Sequence, residues 1–232
     1  MREIVWDTET TGLSFQAGDR LVEIGCIELV NRVETGRSFH AYLNPERSVP
    51  PEAAAVHGLT DAFLSDKPRF AERVDDLLAF LEDSPLVAHN ATFDMSFLNG
   101  ELTRCGLPAI AMSRMVDTLP MARSKHPGAK HTLDALCSRY GVDRSHRVLH
   151  GALLDAQLLA QVYVELTGGR QIGLGLVAEV RRDGAHAAPA PASRPRVARP
   201  PRHFPPTPGE LAAHRAFMSS INDPLWGPEA SG

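Results

Sequence analysis

The sequence predicts an α/β fold, a mixed central sheet flanked by helices, with a flexible C-terminal tail. Three observations predict it. Residues 2–7, 20–30 and 38–43 are apolar, strand-like runs joined by short turns, which suggests an antiparallel meander. Helix-length and strand-length segments then alternate, as parallel strands with covering helices do. Finally, eight of the 18 prolines crowd into residues 187–210 with Ala and Arg, a stretch that suits neither a helix nor a central strand and reads as an extended linker.

The elements follow in order. The first strand is the run Ile4-Val5-Trp6, entered almost at the N-terminus and closed by a turn at Thr10-Thr11-Gly12. A short helix is expected after Pro51 and a longer one near residues 70–82. A strand at 85–88 leads into a helix at 93–105, where Phe93, Phe97, Leu98 and Leu102 recur at helical spacing. A strand near 115 precedes helices near 118–124, 132–140 and 151–167; Thr167-Gly168-Gly169 stops the last of these.

A chain of 232 residues with 43% apolar content can bury one full core and carry an extra segment. No apolar run is long enough to cross a membrane and no signal peptide is visible. Cys26, Cys105 and Cys137 are odd in number and far apart, which suits reduced thiols in a cytoplasmic protein. The net charge of −4 is uneven, since residues 1–170 carry 17 basic and 23 acidic side chains and residues 171–232 carry 7 and 5.

The chemistry concentrates in four acids and a histidine. Asp7 and Glu9 stand two apart on a strand end and so share a face, where their like charges repel unless a cation neutralises them. Asp94 is expected on the first turn of the helix at 93–105, a place that capping alone would also explain. Asp155 sits in a strongly apolar helix, where a lone acid needs a partner or a metal. His150, on the loop entering that helix, reads by itself as solvated or capping. Oxygen ligands in this number suit Mg²⁺ or Mn²⁺ rather than zinc.

These residues stand in three blocks: Asp7-Thr8-Glu9-Thr10-Thr11-Gly12; Asn90-Ala91-Thr92-Phe93-Asp94-Met95-Ser96-Phe97-Leu98; and His150 with Asp155 five positions on. In order, separation and flanking residues they resemble the DEDDh family of 3′-to-5′ exonucleases, with motifs DxExTG, NxxFDxxFL and HxxxxD. The resemblance implies a ribonuclease H-like fold for residues 1–170. It also implies two divalent cations held by Asp7, Glu9, Asp94 and Asp155, and His150 as general base; a Tyr there would mark a sister subgroup. The substrate it implies is a DNA 3′ end, with Thr10, Thr11, Gly12 and His57 against the terminal nucleotide and Leu13 and Phe15 as further candidates for the base pocket. The acidic balance of such an enzyme mildly favours a subunit that relies on a partner to hold DNA.

Residues 171–176 contain Gln171, Leu174 and Leu176 in a Q-x-x-L-x-F/L pattern, which resembles peptides that dock on the bacterial sliding clamp. Residues 177–206 form the expected linker. In residues 207–232 a short helix and the anchors Leu211, Phe217 and Trp226 are too few for a core and read as a docking peptide. The layout resembles the tail by which proofreading subunits bind the catalytic (alpha) subunit of bacterial DNA polymerase III. Two other classes are weighed beside this one. A stand-alone DEDDh nuclease on RNA or DNA ends is disfavoured by the tail, and a catalytically idle structural subunit by the complete set of five site residues.

Overall fold

The computed structural model describes residues 1–145, 147, 149–169 and 205–221. The first compact unit, residues 1–177, is built on a five-stranded sheet in the order β3-β2-β1-β4-β5. Strands β1 (Arg2–Thr10), β2 (Leu21–Val30) and β3 (Val33–Tyr42) form the expected antiparallel meander. Strands β4 (Leu86–Ala88) and β5 (Met115–Asp117) add in parallel to the other side of β1. β1 runs three residues past the predicted end because Thr8, Glu9 and Thr10 stay paired to β2, with a register shift between Glu9 and Thr10. A bulge at that place twists the strand end and re-aims its side chains.

Alternation along β1 divides the core. Ile4 and Trp6 enter a large cluster with Phe70, Val74 and Leu77 of α3 (Phe70–Leu81) and Met95, Phe97 and Leu98 of α4 (Thr92–Arg104). Val5 faces the other way, onto Ala156, Leu159, Ala160 and Tyr163 of α7 (Ala152–Leu166). The outer side of α7 is also covered, through Leu158, Val162 and Leu166 packed on α5 (Thr118–Lys125) and α6 (Leu133–Tyr140). Burial on two sides is why its sequence is apolar nearly all round.

The helix after Pro51 is α1 (Pro51–His57), with proline in the first turn and Gly58 at φ +76° closing it. A further turn of helix, α2 (Asp61–Leu64), was not expected from the apolar pattern; Thr60 caps it by accepting from Phe63 N–H. The second unit, residues 178–232, contains α8 (Pro208–Ser219), which opens with a Thr207 and Glu210 capping box. Leu211 and Phe217 are exposed on it. The clamp-like segment, residues 177–204 of the linker and Trp226 lie outside the described residues. Among the described residues, no helix is long and apolar enough to cross a membrane.

Candidate active site

Because β1 alternates, Asp7 and Glu9 share the face of Val5 and so meet the N-terminal turn of α7, while Thr8 points to α4. α7 lies along the strand: Tyr163 donates to Glu3 (2.7 Å) near one end of β1, and Asp155 arrives near the other. Its close approach depends on Gly25, the partner of Asp7 in β2. A Cβ at Gly25 would stand 2.3 Å from the Leu153 backbone. Asp94 comes from the opposite side, on the first turn of α4, and accepts from the Thr8 hydroxyl at 2.6 Å.

The four carboxylates thus line one cleft of about 670 Å³, with His150 and Arg147 beside them and His89, Phe93, Arg123 and His131 across it. Glu9, Asp94 and Asp155 are each at least nine-tenths buried, whereas His150 is half exposed at the entrance. Ligand atoms of Glu9, His150 and Asp155 lie within 4.8 Å of one another, a spacing that could hold a metal ion. A second groove of about 480 Å³, beside Arg32, Tyr140 and Glu165, lacks the acid cluster.

Uncompensated charge marks the cleft. Burial, then the carboxylates of Asp94, Glu9 and Asp155, push Asp7 well above the usual carboxylate range. Burial, then Asp155, Glu23 and Asp94, raise Glu9 to about 8. Burial raises Asp94 to about 7 against the opposing pull of the Thr8 hydrogen bond. Acids held this far above their ordinary values are buried with too little positive charge to compensate them, since Arg147 pulls Asp7 and Glu9 down only in part. Hard oxygen donors carrying that deficit fit a divalent cation of the Mg²⁺ or Mn²⁺ type.

The expected nucleotide-facing residues gather at the same end of β1. Thr10 Oγ1 donates to the Gly12 carbonyl (2.6 Å), while the Thr11 N–H is bonded to Arg20 O (2.9 Å). His57 is buried; its Nδ1 accepts from Leu59 N–H (3.0 Å), and its Nε2 lies by the Thr10 backbone without a close, well-aligned hydrogen bond. Burial lowers its pKa. The His57 turn meets the His150 loop where His150 N–H donates to Val56 O (3.2 Å) and Leu149 covers Gly58. Leu13 projects into solvent, 87% exposed, whereas Phe15 packs edge-on against Phe97.

Four contributors escaped the reading of the sequence. Thr8 orients Asp94 and lies hidden inside the first motif. Glu23 pairs in register with Glu9 and binds His40 Nε2 at 2.7 Å, a cross-strand relation visible only once register is known. Arg147 grips Asp155 from the loop before α7, and Asp134 on α6 holds Arg147 from behind (3.0 Å). The one available signal was charge balance, since so many clustered acids call for a nearby cation.

The sheet order, the crossing of α4 and α7 at one strand end and the acid-lined cleft define a nuclease-type fold, and a family model agrees. The exonuclease family described as RNase_T matches residues 4–163, and the chain belongs to it. Within that family its relatives are named DNA polymerase III subunit epsilon. The protein of Rickettsia felis is 50% identical over 227 residues, 95% of this chain and 97% of its own length. That of Escherichia coli is 48% identical over 176 residues, 73% of this chain and 72% of its own. Among solved structures, exonuclease X in complex with 5′ overhanging duplex DNA matches with a TM-score of 0.53 at 28% identity, over 72% of this chain and 90% of that one. The E. coli exonuclease I complex with single-stranded DNA shares the fold, with a TM-score of 0.59 at 20% identity, over 73% of this chain and 41% of that one.

Proposed function

We propose that this chain is the 3′-to-5′ proofreading exonuclease subunit of a replicative DNA polymerase III, removing mispaired 3′-terminal nucleotides as nucleoside monophosphates. One observation carries the reading: the four acids and His150 occupy a single charge-deficient cleft in a chain that aligns with an epsilon subunit along 95% of its length. Asp7, Glu9, Asp94 and Asp155 would hold two divalent cations, Mg²⁺ or Mn²⁺. Such ions, when bound, supply an activated water and stabilise the leaving 3′ oxygen. His150, half exposed at the cleft entrance, is positioned to take the proton from that water.

The terminal nucleotide would lie against the Thr10, Thr11 and Gly12 turn. With the Thr11 amide already committed to Arg20, the polar contacts there fall to its neighbours and to the unpartnered Nε2 of His57. The catalytic (alpha) subunit would dock on the tail, through Leu211, Phe217 and Trp226, and the sliding clamp on residues 171–176 through Gln171, Leu174 and Leu176. Support for the tail is the exposure of Leu211 and Phe217 on α8 and the extent of the similarity. The organisation proposed is therefore nuclease domain 1–170, clamp segment 171–176, linker 177–206 and docking tail 207–232, in a cytoplasmic protein.

Mispaired and paired primers labelled at the 5′ end provide the test. Single-nucleotide shortening from the mispaired 3′ end should require Mn²⁺ or Mg²⁺, stop with chelator and vanish in Asp7→Ala. Full activity in that variant would refute the assignment. Removal of residues 204–232 should leave shortening intact and abolish co-elution with the alpha subunit; co-elution that persists would refute the docking tail.

A further inference from the structure

Arg147 is the one cation engaged directly with the acid cluster among the described residues. Its guanidinium grips both oxygens of Asp155, Nε to Oδ1 at 2.5 Å and Nη2 to Oδ2 at 2.7 Å, with the side chain only 9% exposed. Nη2 also contacts His150 Nδ1 at 3.0 Å, and as the guanidinium can only donate, this nitrogen is the acceptor. Nη1 reaches outward to Asp134 Oδ1 at 3.0 Å. Asp134 is 47% exposed and also binds Arg144 at 2.9 Å, so its position does not depend on the cleft.

One side chain therefore covers the Asp155 carboxylate and the basic nitrogen of His150 together. A bidentate charged pair of this geometry competes with any other cation for the same oxygens. We propose that Arg147 is an internal stand-in cation: it positions Asp155 and His150 and yields Asp155 to a divalent ion by withdrawing onto Asp134. The inference rests on the metal-binding reading above. It makes Arg147 a positioning residue, with Asp134 as the partner that keeps the displaced guanidinium satisfied near the cleft wall. Release uncovers His150 Nδ1 in the same movement, so cation binding and exposure of the base are linked.

The two ends of this contact predict changes of opposite sign, which a merely structural role would not produce. In the chelator-stripped full chain, Mn²⁺ affinity is read by electron paramagnetic resonance of the free ion, with no nuclease assay involved. Arg147→Met should tighten Mn²⁺ binding by about tenfold, because an ionic competitor is gone, and lower the melting temperature of the metal-free protein. Asp134→Asn should weaken binding by about threefold, because the displaced guanidinium loses its outer partner. Placed in the Arg147→Met background, Asp134→Asn should have no effect.

Unchanged or weaker Mn²⁺ binding in Arg147→Met overturns the proposal while leaving the nuclease reading standing, whereas failure of the unsubstituted chain to bind Mn²⁺ overturns both. Should Arg147→Met not fold, Asp134→Asn decides alone: weaker binding supports the exchange, and equal or tighter binding rejects it.

Discussion

Two buried charge clusters flank the sheet, and they solve the same electrostatic problem in opposite ways. Near the start of β2, Arg20 and Glu101 pair through two bonds of 2.6 and 2.8 Å; the Pro45 carbonyl takes a third donor, and Glu101 is 1% exposed. Every charge there has its opposite. In the cleft, four acids have Arg147 as their one directly engaged cation among the described residues, neighbouring Glu23 being bonded to His40, and Glu9 and Asp94 are raised to about 8 and about 7. A balanced buried pair holds structure together, whereas a deficit of positive charge is stability given up for a binding task.

Neutralising an acid separates the two most sharply. Glu9→Gln should reduce nuclease activity on the order of 10³-fold, the scale for losing one preorganised charge at a reacting centre. The same substitution should raise the melting temperature of the metal-free protein by removing the cost of burying an ionisable acid there, and with it the repulsion from Asp155, Glu23 and Asp94. Glu101→Gln should do the reverse, costing about 3–5 kcal/mol by leaving Arg20 buried without its anion. Chemical denaturation beside a nuclease assay measures both, and a destabilised Glu9→Gln would erase the contrast.

Geometry should matter next. Gly25→Ala drives a methyl into the Leu153 backbone, so α7 must retreat from β2 and carry Asp155 with it. The expected cost is about 1–3 kcal/mol in stability and about 10²-fold in activity, since an ångström of misplacement at a reacting centre is worth that much. Equal activity per folded molecule in the variant would show that the site tolerates a looser α7.

The pH dependence of the metal-free chain follows from the raised acids. An acid protonated in the folded state and ionised in the unfolded one binds more protons when folded, so stability falls as pH rises between the two pKa values. For Asp94 and Glu9 the fall begins near their ordinary 3.8 and 4.5 and ends near about 7 and about 8. Glu28, at the far end of the sheet, has the opposite sign. Hydrogen bonds from Thr35 and Arg2 hold it below 4.5, and its contribution is lost on acidification. Melting temperatures of metal-free protein from pH 5 to 8 should decline, and saturating Mn²⁺ should flatten the decline. A rise across that range without metal would contradict the charge deficit.

How much of this was legible beforehand depended on the range of the interaction. The strands and most helices could be read from local periodicity, and the motif residues from their resemblance to the DEDDh exonucleases. Spacing also put Asp7 and Glu9 on one face, because the period of a strand is fixed by backbone geometry. What could not be read was set by register and by loops. Glu23 meets Glu9 only through cross-strand pairing, α2 is a single capped turn without an apolar stripe, and Arg147 lies on an irregular loop whose course depends on α6 and α7. His150 illustrates the middle case: its neighbourhood followed from the motif, but the guanidinium covering its Nδ1 did not.

The smallest expected effect concerns two buried nitrogens without partners, His57 Nε2 beside the cleft and Trp6 Nε1 in the core. The fully buried indole of Trp6 fills the cluster between β1 and α4, and its N–H has no hydrogen-bond partner among the described protein groups. An orphaned donor of this kind costs about 1–3 kcal/mol, so its removal should offset much of the packing that Trp6→Phe gives up. The net change should stay within about 1 kcal/mol in urea denaturation, with activity unaltered. His57→Phe should be equally mild for stability yet raise KM for the primer end, the outcome expected if that nitrogen contacts the terminal nucleotide as proposed. If Trp6→Phe proves as harmful to KM as His57→Phe, an unpartnered buried nitrogen in this fold reports on packing alone and does not mark the nucleotide site.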